Sequence, residues 1–333
     1  RVTGVQTCAL PILNFKQLPN GMCDGYVILK KCDVKKTKNG SQYLDALISD
    51  KDGEMSAKLW DFNGSADTFE QDMIVKIRGT VEAYNGKDQF RISQIRPTSN
   101  EDNYSLSDLV PASEIGGEQL FNMIKKRVDA FENEDLKKIV SKIIDERKDL
   151  LITYPAALKL HHAMVGGLLY HTMSILRMAE EMCKIYPNIC KDLLFSGVIL
   201  HDVAKTWELE TGKSGLAKGY SVEGELIGHL VKGAMYVNDA ANELGIDSEI
   251  VPLLEHMILS HHGAPEFGSP TRPMFLEAII LSSLDALDAT VFEVNNATSK
   301  VKPGEFTDRQ WALDNRKLYN HGLSSTEHRV NFE

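Results

Sequence analysis

The stretch KKTKNGSQYLDALISDKDGEMSAKLWDF, residues 35–62, sets how the chain begins to fold. Asn39-Gly40 and Asp52-Gly53 are hairpin signals, because the glycine supplies the positive φ that a tight turn needs. Between them QYLDALIS alternates apolar and polar side chains, the period of a half-buried strand. GYVILKKCDVKKT precedes this core, and MIVKIRGTVEAY, the turn NGKD with Asn85-Gly86, and QFRISQI come after it. About five strands between Met22 and Pro97 are predicted, the size of a small closed barrel.

In the succession strand, tight turn, strand, turn, strand, this segment resembles the OB-fold nucleic-acid-binding family. The resemblance implies a single-strand-binding face on the second and third strands, where bases stack on aromatics and Lys or Arg line the backbone path. Tyr43, Lys58, Trp60 and Phe90 are the candidates; each also fits barrel core or ordinary surface.

Residues 1–12, RVTGVQTCALPI, share neither the rhythm nor the chemistry of the rest of the chain, and we set them aside as a non-native or disordered leader. The barrel is assigned to 13–97. Residues 98–113, polar and ending near a proline, read as a linker. From there the period changes from 2 to 3.6: residues 116–131, 134–151, 166–186, 190–205, 223–244, 250–262 and 274–294 each read as an amphipathic or apolar helix. The expected architecture is therefore multidomain, an N-terminal all-β barrel followed by an all-α bundle over 114–320 and a tail at 321–333.

Composition narrows the class. The chain of 333 residues has 43% hydrophobic and 25% charged residues and no run apolar enough to span a bilayer, so a cytoplasmic protein without membrane contact is expected. Five cysteines form neither a CxxC pair nor a closely spaced framework and read as reduced thiols. The net charge of −10 argues against nucleic acid at first sight. Residues 1–100, however, carry 14 basic against 12 acidic side chains, so the acid excess lies entirely in the later region.

The chemistry concentrates in the helices. Eight of the ten histidines lie between positions 161 and 262, most at otherwise apolar helix positions: His171, His201, His229, His261 and His262. Asp202 and Asp285 join them on apolar helix stretches. Burying an unpaired carboxylate costs several kcal/mol, whereas imidazoles and carboxylates converging on a divalent ion satisfy one another. A metal centre with one ligand or two per helix accounts for the pattern. Lys205, one turn after His201, is placed to contact a phosphate as a point charge, or is a helix cation favoured by the macrodipole.

HD followed by xxK, with an earlier helix histidine and a later helix aspartate, resembles the HD-domain metal-dependent phosphohydrolase superfamily. That resemblance implies metal ligation by His171, His201, Asp202 and Asp285. Two-metal members add a histidine on the next helix and then a His-His pair, which here implies His229, His261 and His262, with Asp202 bridging. Two such cations would activate a water and neutralise charge developing on a phosphoryl group.

A wider resemblance runs from Leu13 to about Asn320. The order barrel, linker, HHAMVGGLLYHT, HDVAKTWEL, EGELIGHLVKGA, MILSHHGAPEFGSPTRPMFLEAIILSSLDALDA and WALDNRKLY is similar to the YhaM-type 3′-to-5′ exoribonucleases. It implies shortening of single-stranded RNA, and to some extent single-stranded DNA, from the 3′ end with Mn²⁺ or a similar ion (Mg²⁺, Co²⁺ or Fe²⁺), and a homo-oligomer. The tail HGLSSTEHRVNFE departs from it. His161 and His162 either face the substrate phosphate or pack the domain. Arg272 either holds a phosphate or is a solvated loop cation, and His256 reads as structural. Two other functions fit parts of the chain: a phosphodiesterase of small or cyclic nucleotides, and a non-catalytic single-strand-binding protein.

Overall fold

A computed structural model describes residues 13, 15, 21–51, 53–65, 68–84, 86–99, 101–104, 106–158, 162–326 and 328–332. The leader and His161 lie outside the described residues. Two compact units form: residues 1–112 with 211–218, and residues 113–210 with 219–333.

The first unit is a closed barrel of five strands, β1 (Met22–Lys36), β2 (Gln42–Ser49), β3 (Glu54–Trp60), β4 (Met73–Tyr84) and β5 (Lys87–Pro97). Neighbours run β1-β2-β3-β5-β4 and close on β1, which is the OB arrangement expected from the sequence. The 15-residue β1 serves two partners: Met22–Leu29 pair antiparallel with β4, and Ile28–Lys36 with β2. The register slips between Leu29 and Lys31, and this bulge bends the strand around the barrel. A short parallel seam, Ser56–Lys58 against Gln89–Arg91, completes closure.

Alternation places Val27, Leu29, Ile48, Ala57, Val75, Ile77 and Ile92 in the core, together with Phe90. Phe90 is 0% exposed. It fills the barrel and presents no face to a base, which removes it from the expected binding residues. Strand parity explains this: Phe90 points the same way as Ile92, inward, while Gln89 and Arg91 point out.

The stretch 98–113 contains a short helix, α1 (Leu106–Leu109). The second unit is built from α2 (Gly117–Asp129), α3 (Glu134–Glu146), α4 (Lys148–Leu151), α5 (Gly167–Ile185), α6 (Lys191–Leu200) and α7 (Lys205–Glu208), followed by α8 (Val222–Leu244), α9 (Ile250–Ser260) and α10 (Leu276–Thr298). A small antiparallel pair, β6 (Leu209–Thr211) and β7 (Ala217–Tyr220), lies between α7 and α8, so the region is not helical throughout.

α6 sits at the centre of the bundle. Its residues from Leu193 to Leu200 are all buried, which is why no polar stripe is legible in it. Gly197 lets its neighbours approach: a Cβ there would lie 2.2 Å from Met257 Cε on α9 and 3.3 Å from Leu281 Cδ2 on α10. α3 is capped by the Asn133 side chain, which accepts from the backbone N–H groups of Asp135 and Leu136.

Candidate metal centre

The C-terminal end of α6 delivers the next two residues, His201 and Asp202, into the middle of the bundle, both essentially buried. Four histidines from four different helices point their Nε2 atoms at this place. On one side of the Asp202 carboxylate, His171 Nε2 lies 3.8 Å and His201 Nε2 3.4 Å from Oδ2. On the other, His229 Nε2 lies 3.5 Å and His261 Nε2 3.6 Å from Oδ1. Asp285 on α10 approaches the first pair, its Oδ1 3.1 Å from His171 Nε2 and 3.9 Å from His201 Nε2. His262 joins His229 and His261 in a second cluster of ligand atoms within 4.8 Å of one another.

Each imidazole is turned by what its other nitrogen touches. Nδ1–H of His201 donates to Val198 O and that of His261 to Ile258 O, both at 2.7 Å. Nδ1–H of His229 donates to Glu208 at 2.9 Å, and that of His171 to Asp288 Oδ2 at 2.7 Å. With the proton fixed on Nδ1, the Nε2 lone pairs of His201, His229 and His261 face inward, while His171 Nε2 faces Asp285 Oδ1. Among the described residues, His201 Nε2, His229 Nε2, His261 Nε2 and Asp202 Oδ1 are buried without a hydrogen-bond partner. Orphaned acceptors in a dry interior cost free energy unless something positive is added among them. A donor set of imidazoles and carboxylates fits a divalent transition-metal ion, and so these residues suit the group that an HD motif implies.

His229 reaches the site because α8 breaks at Gly228, whose φ of 74° and ψ of 162° only glycine adopts readily. The break leaves the backbone N–H of His229 free to donate to Glu208 Oε1 at 2.9 Å, so Glu208 holds both the main chain and the ring.

The electrostatics fit a site that wants a cation. Burial alone would raise the Asp202 carboxyl, but Lys205 and His201 outweigh it and hold the group well below the usual range. Burial likewise opposes ionisation of Asp285 and Asp288, and their histidine partners reverse it. Burial disfavours a charge on His171, yet Asp285 and Asp288 together push its pKa up to about 10. Burial pushes His262 down to about 3 and lowers His261 as well, so both are neutral near pH 7. Lys205 is nearly buried and its Nζ lies 2.7 Å from Asp202 Oδ2.

The remaining candidates separate. His162 is 0% exposed, and its Nε2 lies 2.8 Å from Asp288 Oδ2, the same oxygen that holds His171. It therefore supports the centre from behind and does not face a substrate phosphate. It does so at a φ of 53°, unusual for a residue with a Cβ, while Ser174 Oγ donates to the other oxygen of Asp288. Arg272 is exposed in the loop before α10 and is not among the residues of the adjacent cleft. His256 Nε2 accepts from the backbone N–H of Met274 and braces that loop.

On the barrel, Tyr43 and Trp60 face each other across β2 and β3, with ring centroids 4.9 Å apart. Lys58 Nζ stands 5.5 Å from both rings and 5.7 Å from that of Tyr84, a residue that sequence reasoning missed. Trp60 is 41% and Tyr84 60% exposed, so the patch offers aromatic faces and one cation to solvent.

Comparison with known proteins agrees with this layout. The HD domain family matches residues 168–290, and the TraI_2 family, described as a putative helicase, matches residues 110–187. The chain is 38% identical over 297 residues to a Bacillus subtilis protein, covering 89% of this chain and 94% of the relative. It is 36% identical over 306 residues to one from Oceanobacillus iheyensis, covering 91% and 95%. A Listeria monocytogenes relative is 38% identical over 295 residues, covering 88% and 93%. All three bear the name 3′-5′ exoribonuclease YhaM.

Proposed function

The chain belongs to the YhaM family of 3′-5′ exoribonucleases, and we propose on that basis how its own residues carry the reaction. It is a divalent-metal-dependent hydrolase that degrades RNA from the 3′ end. The single observation that carries the assignment of residues is the division of Asp202, one oxygen facing His171 and His201, the other facing His229 and His261. We assign His171, His201 and Asp285 to one cation, His229, His261 and His262 to a second, and Asp202 to both. Bound there, divalent ions supply Lewis acidity, lowering the pKa of water and stabilising negative charge on a phosphoryl group. Imidazole-rich ligation favours Mn²⁺ or Fe²⁺ over Mg²⁺.

The protein's part is to fix donors and to supply charge. Val198 O, Ile258 O, Glu208 and Asp288 hold the four rings in the tautomer and orientation that ligation requires. Lys205 keeps Asp202 ionised in its buried position and adds a positive charge beside the phosphate. Water adds to the terminal phosphorus and the bond to the O3′ of the preceding nucleotide breaks, so the released nucleotide keeps its 5′-phosphate. Tyr43, Lys58, Trp60 and Tyr84 on the barrel hold the single strand, bases on the rings and phosphate near the ammonium. Stacking tolerates any base, which suits a strand-shortening enzyme and extends the substrate to single-stranded DNA.

We place the protein in the cytoplasm as a homo-oligomer. The described cysteines Cys23, Cys32, Cys183 and Cys190 are free, and no described helix is long and apolar enough to cross a membrane. Val222, Leu226 and Ile279 are exposed apolar residues on α8 and α10, available to another copy.

The test combines Mn²⁺ with 5′-labelled single-stranded RNA. Wild type yields a ladder of 3′-shortened products, and Asp202→Asn or His201→Ala yields none while retaining the wild-type circular dichroism. Intact RNA alongside hydrolysed small nucleotides would overturn the reading.

A further inference from the structure

α10 carries a third acid beyond the metal centre. Glu293 stands eight residues after Asp285, about 12 Å along the helix axis, and forms no ion pair or hydrogen bond among the described residues. It is half-buried in the wall of an open cleft of about 430 Å³ whose other polar lining includes His262, Asp285 and Thr290. His261 and Ser282 complete the polar part, and the apolar part is small, Ala286 and Ala289 together with Ala312 and Leu313 from the 3₁₀ turn Trp311–Leu313. The volume lies in the range of sites that take one small molecule.

A cleft with metal ligands at one end and a carboxylate about 12 Å farther along the helix has a polarity. A phosphate belongs at the histidine end. At the Glu293 end a second phosphate would meet a like charge in poorly hydrated surroundings, whereas a hydroxyl would find an acceptor. We propose that the cleft seats the 3′-terminal nucleoside, and that Glu293 accepts hydrogen bonds from its sugar hydroxyls and rejects a 3′-phosphate. This rests on the exonuclease reading above and adds which chain end that site takes. Burial pushes the Glu293 carboxyl upward and outweighs the Lys300 ammonium, which lowers it, so the group is short of hydration and gains from a hydroxyl partner. Side chains on a helix tilt toward its N-terminus, so Glu293 leans along the cleft toward Asp285.

The test compares two RNAs of one sequence, ending in a 3′-hydroxyl or a 3′-phosphate, with the Mn²⁺-loaded protein. Wild type is expected to shorten the hydroxyl end at least about tenfold faster in kcat/KM. Glu293→Gln, which keeps the shape and removes the charge, is expected to bring that ratio within about threefold, chiefly by speeding the phosphate end. Glu293→Ala should narrow it as well and slow the hydroxyl end through a higher KM. A ratio unchanged in both variants overturns the pocket and leaves the nuclease standing. If no protein shortens either RNA, the exonuclease reading fails instead. Equilibrium binding then decides the pocket alone: wild type must prefer adenosine 5′-monophosphate to adenosine 3′,5′-bisphosphate, and equal affinities overturn it.

Discussion

Asp288 touches no proposed cation, yet one of its oxygens receives both His162 and His171, and Ser174 holds the other. An amide in its place keeps one acceptor oxygen and no charge, so it cannot serve both Ser174 and the two rings, and the hold on the His171 tautomer weakens. Asp288→Asn is therefore expected to weaken Mn²⁺ binding by about 10- to 100-fold, read by calorimetric titration, with little change in secondary structure. The same corner sets the pH dependence. The metal-free pKa of His171 lies near 10, so at neutral pH its Nε2 carries a proton that a cation must displace. Apparent Mn²⁺ affinity should rise by about tenfold per pH unit between pH 6 and 8, with close to one proton released from this residue. Titrations in two buffers of different ionisation enthalpy measure it; affinity that falls with rising pH would contradict the assignment. Asp288 was within reach of the sequence, three residues after Asp285 and so on the same helix face. Glu208 was not: among the acids of KTWELE nothing marks it until the backbone at Gly228 brings His229 to it.

That break in α8 is the element on which the second cluster depends. A continuous helix through Gly228 would turn His229 away from Glu208 and from Asp202. Gly228→Ala meets no steric obstacle, since the nearest atom to a new Cβ is Glu208 Oε1 at 3.7 Å, but its backbone is strained at a φ of 74°. The cost is about 1 to 3 kcal/mol. Either the protein loses that much stability, or the helix straightens and His229 is lost to the site. Thermal unfolding and the number of Mn²⁺ ions bound distinguish the two outcomes, and wild-type values for both would show that the break is dispensable. A kink at a single glycine leaves the apolar period on either side intact, which is why residues 223–244 read as one helix. The barrel was more legible because its turns are local chemistry, Asn39-Gly40 above all, with Gly40 at a φ of 88°. Phe90 shows where such reading stops. Aromatic character alone nominated it, and the parity of β5 placed it inside.

Across the protein, the proposed strand grip and the proposed metal centre belong to different units, so they should fail separately. Trp60→Ala removes one stacking face, worth about 1 to 3 kcal/mol per base. It should weaken binding of a long single-stranded RNA by about tenfold or more in fluorescence anisotropy, and leave the rate on a dinucleotide within about twofold. Equal losses on both substrates would mean that the barrel patch acts through the fold and not through the strand. The two units also differ in how they are written along the chain. All five barrel strands lie between Met22 and Pro97, whereas the cluster draws on residues from His171 to Asp285, with Asp288 behind it. Chains are made from the N-terminus, and domains fold as they emerge. A half-synthesised copy already has all five barrel strands while its metal centre still lacks α10, so under the proposed division of labour the growing chain acquires its grip on a transcript before its means of destroying one.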